Sequence, residues 1–179
     1  MKTINVKASK NYSVYVGSGL LGRCGSFARD AKLFGKAVII SDSNVAPLYK
    51  DTVEKSLKDA GFEVISYVFK SGEASKNGAT YLEIMNFLAN SRITRTDTVF
   101  ALGGGVTGDI AGFCAATYMR GINYVQLPTS LLAAVDSSVG GKTAIDLDAG
   151  KNLAGAFYQP RFVLHDTDCI KTLPDKYFS

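Results

Sequence analysis

The residues best placed for chemistry in this sequence follow a run of three glycines, Gly103 to Gly105. The run comes directly after the apolar segment 98–102 and before a segment with helical spacing. Adjacent glycines let a pyrophosphate approach the backbone closely, and the free N–H groups at a helix start stabilise its negative charge. Asp109 lies in the first turn of this predicted helix, where it either caps the helix or accepts a hydrogen bond from a nucleotide. The pattern predicts a dinucleotide-binding loop, and a glycine turn that packs the helix tightly on a sheet is the alternative.

A second group of polar residues lies among glycines and apolar residues between positions 130 and 157. Three charges and one amide in such a segment are hard to explain as solvated surface, and they favour a site for a phosphate and a polyol. Arg120, at the end of the predicted helix, either caps that helix or reaches a phosphate. The four residues of the group are Asp136, Lys142, Lys151 and Asn152.

Two other glycine motifs are weaker. The segment 17–22 matches G-x-G-x-x-G, and Asp42 lies about where the ribose-binding acid of that fingerprint falls. The strand predicted before it alternates polar and apolar residues, whereas the fingerprint follows a buried strand, so a plain turn is favoured. The segment 141–143 (GKT) matches the end of a P-loop, but Asp136 occupies the position of the required glycine. That carboxylate would oppose a triphosphate, which argues against an ATPase.

Several polar residues lie near the ends of predicted strands. Asp42 and Asn44 either bind an adenosine ribose or cap the next helix, with neither alternative favoured. Glu73 and Lys76 lie on a polar loop, where a solvated ion pair between them is the favoured interpretation. His165 ends the last predicted strand and is expected to be a hydrogen-bonded structural residue.

The composition excludes several classes of function. The net charge of +4 comes from 20 basic and 16 acidic residues without a run of like charge, so no nucleic-acid footprint is visible. One histidine excludes a His-rich metal site within this chain. No apolar stretch is long enough for a membrane span, and the first residues lack a signal peptide's apolar region. Three cysteines without CxxC spacing indicate free, buried thiols in a reducing compartment, and we expect a soluble cytoplasmic domain.

The elements that must position these residues alternate between apolar runs and helical patterns. Period-two alternation around residues 9–11 predicts an N-terminal hairpin. The predicted fold class is α/β, a Rossmann-like doubly wound and mostly parallel sheet with ligands at the carboxyl ends of its strands. Segment 130–157 has no regular rhythm and is expected to be a long functional loop. Further strands are predicted at 37–40, 62–69, 98–102, 124–127 and 162–164, with helices between residues 47 and 61, along 81–88 and over 107–118.

Three stretches in this order closely resemble the 3-dehydroquinate synthases: 103–109 (GGGVTGD), 127–143 (LPTSLLAAVDSSVGGKT) and 150–160 (GKNLAGAFYQP). The resemblance covers essentially the whole chain, including Thr172-Leu173 near its end. It implies an enzyme of the shikimate pathway that converts 3-deoxy-D-arabino-heptulosonate 7-phosphate to 3-dehydroquinate and phosphate. It also implies catalytic NAD and a divalent metal, zinc or cobalt.

Carried over by position, the resemblance implies two sets of site residues. Those implied to act on the sugar-phosphate substrate are Asp136, Lys142, Asn152 and, reaching a neighbouring subunit's site, Arg120. Those implied to bind NAD are Asp42, Asn44, Glu73, Lys76, Gly104, Gly105, Val106, Asp109, Thr129, Ser130, Leu132, Asp136, Ser137, Lys142, Lys151, Thr172 and Leu173.

The sequence also departs from the family pattern. Ser130 stands where threonine is commoner, and Tyr177 stands where some members have glutamate. The resemblance implies that the family's metal ligands, a glutamate and two histidines, lie in a C-terminal helical domain that is expected to begin just after Ser179. Residues 1–179 are therefore predicted to be the N-terminal NAD-binding domain of a two-domain, homodimeric enzyme, inactive alone. A related sugar-phosphate cyclase, a metal-dependent polyol dehydrogenase and a bare nucleotide-binding module are the alternatives.

Overall fold

The computed structural model describes residues 1–172 and places seven strands in one sheet. They are β1 (Lys2–Val6), β2 (Tyr12–Gly17), β3 (Lys36–Asp42), β4 (Glu63–Phe69), β5 (Thr98–Gly103), β6 (Asn123–Pro128) and β9 (Phe162–Asp166). Their order in the sheet is β1-β2-β9-β6-β5-β3-β4. β1 is antiparallel to β2, and the other neighbours are parallel. The predicted α/β class with an N-terminal hairpin is confirmed.

The central strands are buried on both faces because helices cover both sides of the sheet. All six residues of β5 are buried. Phe100 and Leu102 pack into one core with two helices, whereas Val99 and Ala101 pack into a second core with the other two. An unbroken apolar run is what such a doubly covered strand requires. The helices are α1 (Cys24–Asp30), α2 (Ala46–Asp59), α3 (Gly78–Asn90) and α4 (Gly105–Thr117).

The helix ends follow local chemistry. Pro47 lies in the first turn of α2, and Gly61 follows its end with a φ of 85°. The Asn77 side chain accepts a hydrogen bond from the Thr80 N–H (2.9 Å) and so caps α3. α4 begins at Gly105, slightly earlier than predicted, because Gly104 is its N-cap and the last of the three glycines is its first residue.

The prediction of an irregular loop over 130–157 is wrong. The segment contains a π-helical turn, Ala133–Ser137, followed by an antiparallel hairpin of β7 (Lys142–Leu147) and β8 (Gly150–Phe157). Small residues let the hairpin pack closely: a Cβ on Gly112 of α4 would lie 2.5 Å from Thr143 Cγ2, and one on Gly155 would lie 2.1 Å from the Thr143 carbonyl oxygen. The glycines that suggested interruption instead permit close packing.

Two further expectations concern the cysteines and membrane-spanning helices. All three cysteines are buried free thiols, and burial raises the pKa of each of them. They therefore belong to the core, as predicted. Across residues 1–172, none of the helices has the length and apolar content needed to cross a bilayer.

Candidate functional site

The glycine loop lies at the carboxyl edge of the sheet, between β5 and α4. The Thr129 N–H donates to the Gly103 carbonyl (2.9 Å), which holds the end of β6 beside the loop. Gly104 is the N-cap residue of α4 and contributes no side-chain cap. The first N–H groups of a helix have no partner within it, so this helix start is open to an anion. Val106, in the same first turn, is half-buried.

The π-helical turn faces the glycine loop across a narrow gap. A Cβ placed on Gly105 would lie 3.4 Å from Ser137 Oγ, and one on Gly104 would lie 3.6 Å from Ser130 Oγ. Ser130 Oγ also accepts from the Ala133 N–H (3.2 Å) and so begins the turn. Ser137 Oγ is buried and has no hydrogen-bond partner within residues 1–172. Because a buried hydroxyl without a partner costs free energy, its presence here fits a bound phosphate or ribose.

Lys76 and Asp109 form a buried ion pair beside the loop. Lys76 Nζ lies 2.6 Å from Asp109 Oδ2, and the two side chains are only 6% and 17% exposed. Burial raises the pKa of the Asp109 carboxyl, while the nearby Lys76 ammonium opposes that rise. The predicted solvated pair of Glu73 with Lys76 is wrong, because Lys76 turns inward. Asp109 does not cap α4 either, since the N-cap is Gly104.

Glu73 instead faces the β7–β8 hairpin. Its carboxylate lies 3.3 Å from Lys151 Nζ, and both side chains are largely exposed. The loop that carries Glu73 is tied to the hairpin a second time, since the Asp146 N–H donates to the Lys76 carbonyl (2.8 Å). Two loops that are distant in sequence therefore meet at one side of the site.

The Asp42 carboxylate accepts hydrogen bonds at the turn before α2, as the capping alternative predicts. Its Oδ1 accepts from the N–H groups of Asn44 (2.9 Å) and Val45 (3.1 Å), at the turn before α2. Its Oδ2 accepts from the Thr107 hydroxyl of α4 (3.2 Å), while Asn44 is exposed at the rim. Thr107 was not predicted to belong to the site, although a threonine in a predicted helix that is otherwise apolar indicates a hydrogen bond to a neighbouring element. A carboxylate keeps further lone pairs, so this bonding leaves room for a ribose hydroxyl.

A cavity of about 500 Å³ opens beside the start of α4. Lys142 Nζ lies 3.0 Å from Asp136 Oδ1 at this cavity, and both side chains are more than half exposed. Asn152 reaches it from β8 with a φ of 57°, and its N–H donates to Asp146 Oδ1 (2.8 Å). The lining residues are Asp109, Asp136, Ser137, Lys142, Thr143, Ala144, Asn152, Leu153, Gly155, Ala156 and Phe157.

Three of the four residues predicted to act on substrate thus meet at one cavity, and Arg120 does not. It is exposed near the amino end of β6, after the end of α4 that is opposite the glycine loop. Met119 and Arg120 both have positive φ (50° and 65°), an uncommon backbone for such residues. The role of Arg120 in a neighbouring subunit stays a prediction.

The remaining predicted cofactor residues are spread along the same edge. Thr129 is buried and Leu132 is largely exposed. The Thr172 hydroxyl contacts the Tyr49 hydroxyl of α2 and donates to the Cys169 carbonyl (2.9 Å). Leu173 and Tyr177 lie outside the described residues.

The weaker motifs have structural roles. In the G-x-G-x-x-G segment the Gly19 N–H donates to Asp166 Oδ1 (3.0 Å) and the Leu21 N–H donates to Asp166 Oδ2 (3.0 Å). An internal carboxylate therefore occupies the donors that a phosphate would need, and the plain turn is correct. The segment 141–143 leads into a strand and not into a helix, so it is no P-loop. His165 is buried with Nδ1 3.3 Å from the Pro128 carbonyl oxygen, as expected of a structural histidine.

Within residues 1–172 no three His, Cys, Asp or Glu side chains are grouped so as to hold a metal ion. The donors present here do not fit the divalent metal that the resemblance implies.

Comparison with known proteins decides the family. The family profile "3-dehydroquinate synthase N-terminal" matches residues 66–179. The chain belongs to the 3-dehydroquinate synthase family. It is 49% identical over 180 residues to the 3-dehydroquinate synthase of Clostridium acetobutylicum. The aligned region covers 99% of this chain and 50% of that protein. The chain therefore spans about half the length of this relative.

Solved structures from the sugar-phosphate cyclases have the same fold as this member of the 3-dehydroquinate synthase family. A 2-deoxy-scyllo-inosose synthase, complexed with carbaglucose-6-phosphate, NAD+ and Co2+, is similar with a TM-score of 0.91 and 29% identity, over 98% of this chain and 48% of that one. The 2-epi-5-epi-valiolone synthase of Streptomyces hygroscopicus, with NAD+ and Zn2+ bound, is similar with a TM-score of 0.84 and 27% identity, over 97% and 48% of the two chains.

Proposed function

We propose that residues 1–179 are the N-terminal NAD-binding domain of a two-domain 3-dehydroquinate synthase. The whole enzyme converts 3-deoxy-D-arabino-heptulosonate 7-phosphate to 3-dehydroquinate and phosphate in the cytoplasm, as a step of aromatic amino acid biosynthesis. It is a carbon-oxygen lyase and works as a homodimer. The family membership and the 49% identity to a 3-dehydroquinate synthase support this choice.

The observation that carries the proposal is the junction between the open start of α4 and the cavity that Lys142 and Asn152 line. Asp109 lies one helical turn from the glycine loop and also lines the cavity, so the two features are contiguous. A helix start suits a pyrophosphate, whereas a lysine and an amide suit the phosphate of a smaller molecule. A cofactor and a phosphorylated substrate could thus lie side by side.

The cofactor half of the junction would be held largely by backbone. Gly104 and Gly105 would present their N–H groups to the pyrophosphate, and Ser137 Oγ would gain the partner that it lacks. Asp42 and Asn44 would meet the adenosine ribose, and the capping bonds of Asp42 already orient its carboxylate. When bound, NAD would supply reversible hydride acceptance, which acidifies the C–H next to the oxidised carbon.

The substrate half would be held by side chains of the π-helical turn and the hairpin. Lys142 and Asn152 would bind the phosphate, and Asp136 would accept from substrate hydroxyls after its pair with Lys142 opens. An exposed ion pair is worth only a few tenths of a kcal/mol up to about 1 kcal/mol, so a dianionic phosphate can displace the carboxylate from the lysine.

Calorimetric titration of this chain with NAD tests the cofactor assignment. We expect measurable binding, and Gly105→Val should weaken it at least about tenfold by filling the gap in front of Ser137. Gly78→Val is the matched control, because Gly78 begins α3 in open space. Absence of NAD binding at millimolar concentrations would contradict the assignment.

A separate assay tests catalytic incompleteness. The isolated chain should not turn over the heptulosonate phosphate, because its described residues do not fit a metal. Turnover by this chain alone would overturn that part of the proposal.

A second candidate is another sugar-phosphate cyclase. The TM-score of 0.91 to 2-deoxy-scyllo-inosose synthase favours it as the runner-up. Turnover of the heptulosonate phosphate by the full-length protein, against glucose 6-phosphate as the competing substrate, would separate the two.

A further inference from the structure

The turn that leads into Lys142 is held by three hydrogen bonds from other segments. Gly140 and Gly141 form it with φ values of 96° and 71°. On one side, the Tyr158 N–H donates to the Gly141 carbonyl (2.7 Å) and Gln159 Nε2 donates to the Gly140 carbonyl (3.2 Å). On the other side, the Gly140 N–H donates to the hydroxyl of Tyr12 (3.2 Å).

The bond to Tyr12 differs from the other two because of where it originates. Tyr158 and Gln159 directly follow β8, the strand that pairs with β7, and the Tyr158 hydroxyl in turn donates to the Ile122 carbonyl just before β6. Tyr12 belongs to β2 of the large sheet and is separated from Gly140 by 128 positions in the chain. Within residues 1–172 it is the one side chain of the large sheet that hydrogen bonds to this turn.

Packing next to the turn reinforces the same connection. Tyr12 is 5% exposed and packs with Val14 and Val163 in a small apolar cluster. Val139, directly before the turn, packs against that cluster. The ring is fixed in the sheet, so its hydroxyl is a fixed acceptor and not a mobile surface group.

The turn joins the two sides of the candidate substrate site. Asp136 and Ser137 precede it on the π-helical turn, and Lys142 follows it at the start of β7. Glycines with positive φ and an exposed ion pair give the segment little rigidity of its own. The Tyr12 contact therefore adds a connection to the large sheet to the bonds that keep Lys142 and Asp136 at one separation.

We propose that Tyr12 is a positioning residue, whose hydroxyl holds the Gly140–Gly141 turn and thereby sets the place of Lys142 at the cavity. That Lys142 binds a phosphate rests on the proposed function. The hydrogen bond from Gly140 to Tyr12, and its effect on the position of the Lys142 side chain, are independent of that function.

The test compares Tyr12→Phe with Tyr118→Phe. Both variants lose one hydroxyl bonded to the backbone, but the Tyr118 hydroxyl donates to the Ile93 carbonyl (2.9 Å), far from the turn. Similar thermal midpoints for the two variants show that both keep the fold. The measurements are amide exchange over residues 138–142, acetylation of Lys142 by acetic anhydride relative to Lys55, and the dissociation constant of inorganic phosphate.

In Tyr12→Phe we expect amide exchange of the turn to be about fivefold faster, as for the loss of one hydrogen bond. Lys142 acetylation should rise at least about twofold and phosphate binding should weaken about threefold to fivefold, with no such change in Tyr118→Phe. If exchange and Lys142 acetylation match the unsubstituted chain, the proposal is overturned. If the unsubstituted chain binds no phosphate, the phosphate assignment of Lys142 fails, and exchange and acetylation still decide the role of Tyr12.

Discussion

The two walls of the cavity are built in opposite ways. The α4 wall presents Asp109 to the cavity, with residues 103–108 and Lys76 packed beside it, and its residues are buried or half-buried and bonded internally. The hairpin wall, which comprises the π-helical turn, β7 and β8, carries charges that are more than half exposed. The two ion pairs show this contrast directly, since Lys76–Asp109 is buried and Lys142–Asp136 is solvated.

The difference indicates a division of roles. Burial makes the α4 wall part of the hydrophobic core, so its geometry exists before any ligand arrives and its residues also stabilise the fold. The hairpin wall contributes little stability through its charges, so these side chains are free to change partners when a ligand binds. Substitutions in the first wall should cost stability, and those in the second should cost binding.

Lys76→Met should have the largest effect on stability. The variant leaves the Asp109 carboxylate buried without its cation, which typically costs about 3 kcal/mol of the free energy of unfolding at pH 7. Lys142→Met, the same change on the hairpin wall, should cost no more than about 0.5 kcal/mol. Urea denaturation measures both, and equal costs would remove the distinction between the walls.

The cost of Lys76→Met should also depend on pH with a defined sign. The folded pKa of Asp109 already lies above its ordinary value and rises further without Lys76. A carboxyl whose pKa is higher in the folded than in the unfolded state stabilises the fold at a pH below its pKa in the unfolded state. This stabilisation is lost as the pH rises through its pKa in the folded state. The difference between the variant and the unsubstituted chain should therefore be small near pH 3 and grow towards pH 7. A difference that grows towards acid pH would contradict the buried pair.

Gly112→Ala tests how the walls are joined. Its Cβ would lie 2.5 Å from Thr143 Cγ2 and 2.8 Å from the Tyr124 hydroxyl, so α4 and β7 must move apart. We expect a loss of about 2 kcal/mol by denaturation, after the gain in helix propensity is included. Gly78→Ala, in open space at the start of α3, is the control and should cost nothing.

Thr107→Val removes the hydroxyl that α4 donates to Asp42 while keeping the shape of the side chain. The expected loss is about 1 kcal/mol of stability together with weaker NAD binding, because the Asp42 carboxylate is less well oriented. Thr117→Val removes a hydroxyl bonded to the Phe113 carbonyl at the far end of the same helix. It should lose comparable stability with unchanged NAD affinity, and a parallel loss of affinity would count against an orienting role for Thr107.

Lys142→Met should have the smallest effect on stability and a large effect on binding. Loss of a charge-assisted hydrogen bond predicts phosphate binding at least about tenfold weaker. Lys55→Met, which removes an exposed lysine from α2, is the control for general charge effects. Equal phosphate affinity in both variants would place the anion elsewhere.

The parts of the fold that could be predicted are those in which one local pattern dominates. β3 and β5 are unbroken apolar runs, and this pattern is sufficient because both faces of each strand are covered. The β7–β8 hairpin was missed because its glycines, which lie among charged residues, resemble those of a loop. These glycines permit close packing within the hairpin, and the hairpin packs closely against α4. No local pattern in the sequence specifies that packing.

The candidate site shows the same limit. The glycine loop, Lys142 and Asn152 were predictable because their chemistry is visible in short stretches. The pairing of Lys76 with Asp109 spans 33 positions, and the closer Glu73 misled the prediction. Tyr12 lies outside the motifs, Thr107 was not singled out within GGGVTGD, and only the folded chain shows what their hydroxyls contact.

We propose that the α4 wall binds NAD while the hairpin wall binds the phosphate of the substrate. Amide exchange of the full chain, measured separately with NAD and with inorganic phosphate, distinguishes the two walls. NAD should slow exchange over residues 103–109, and phosphate should slow it over 140–152. Protection of the same residues by both ligands, or no protection of the glycine loop by NAD, would overturn this division of roles.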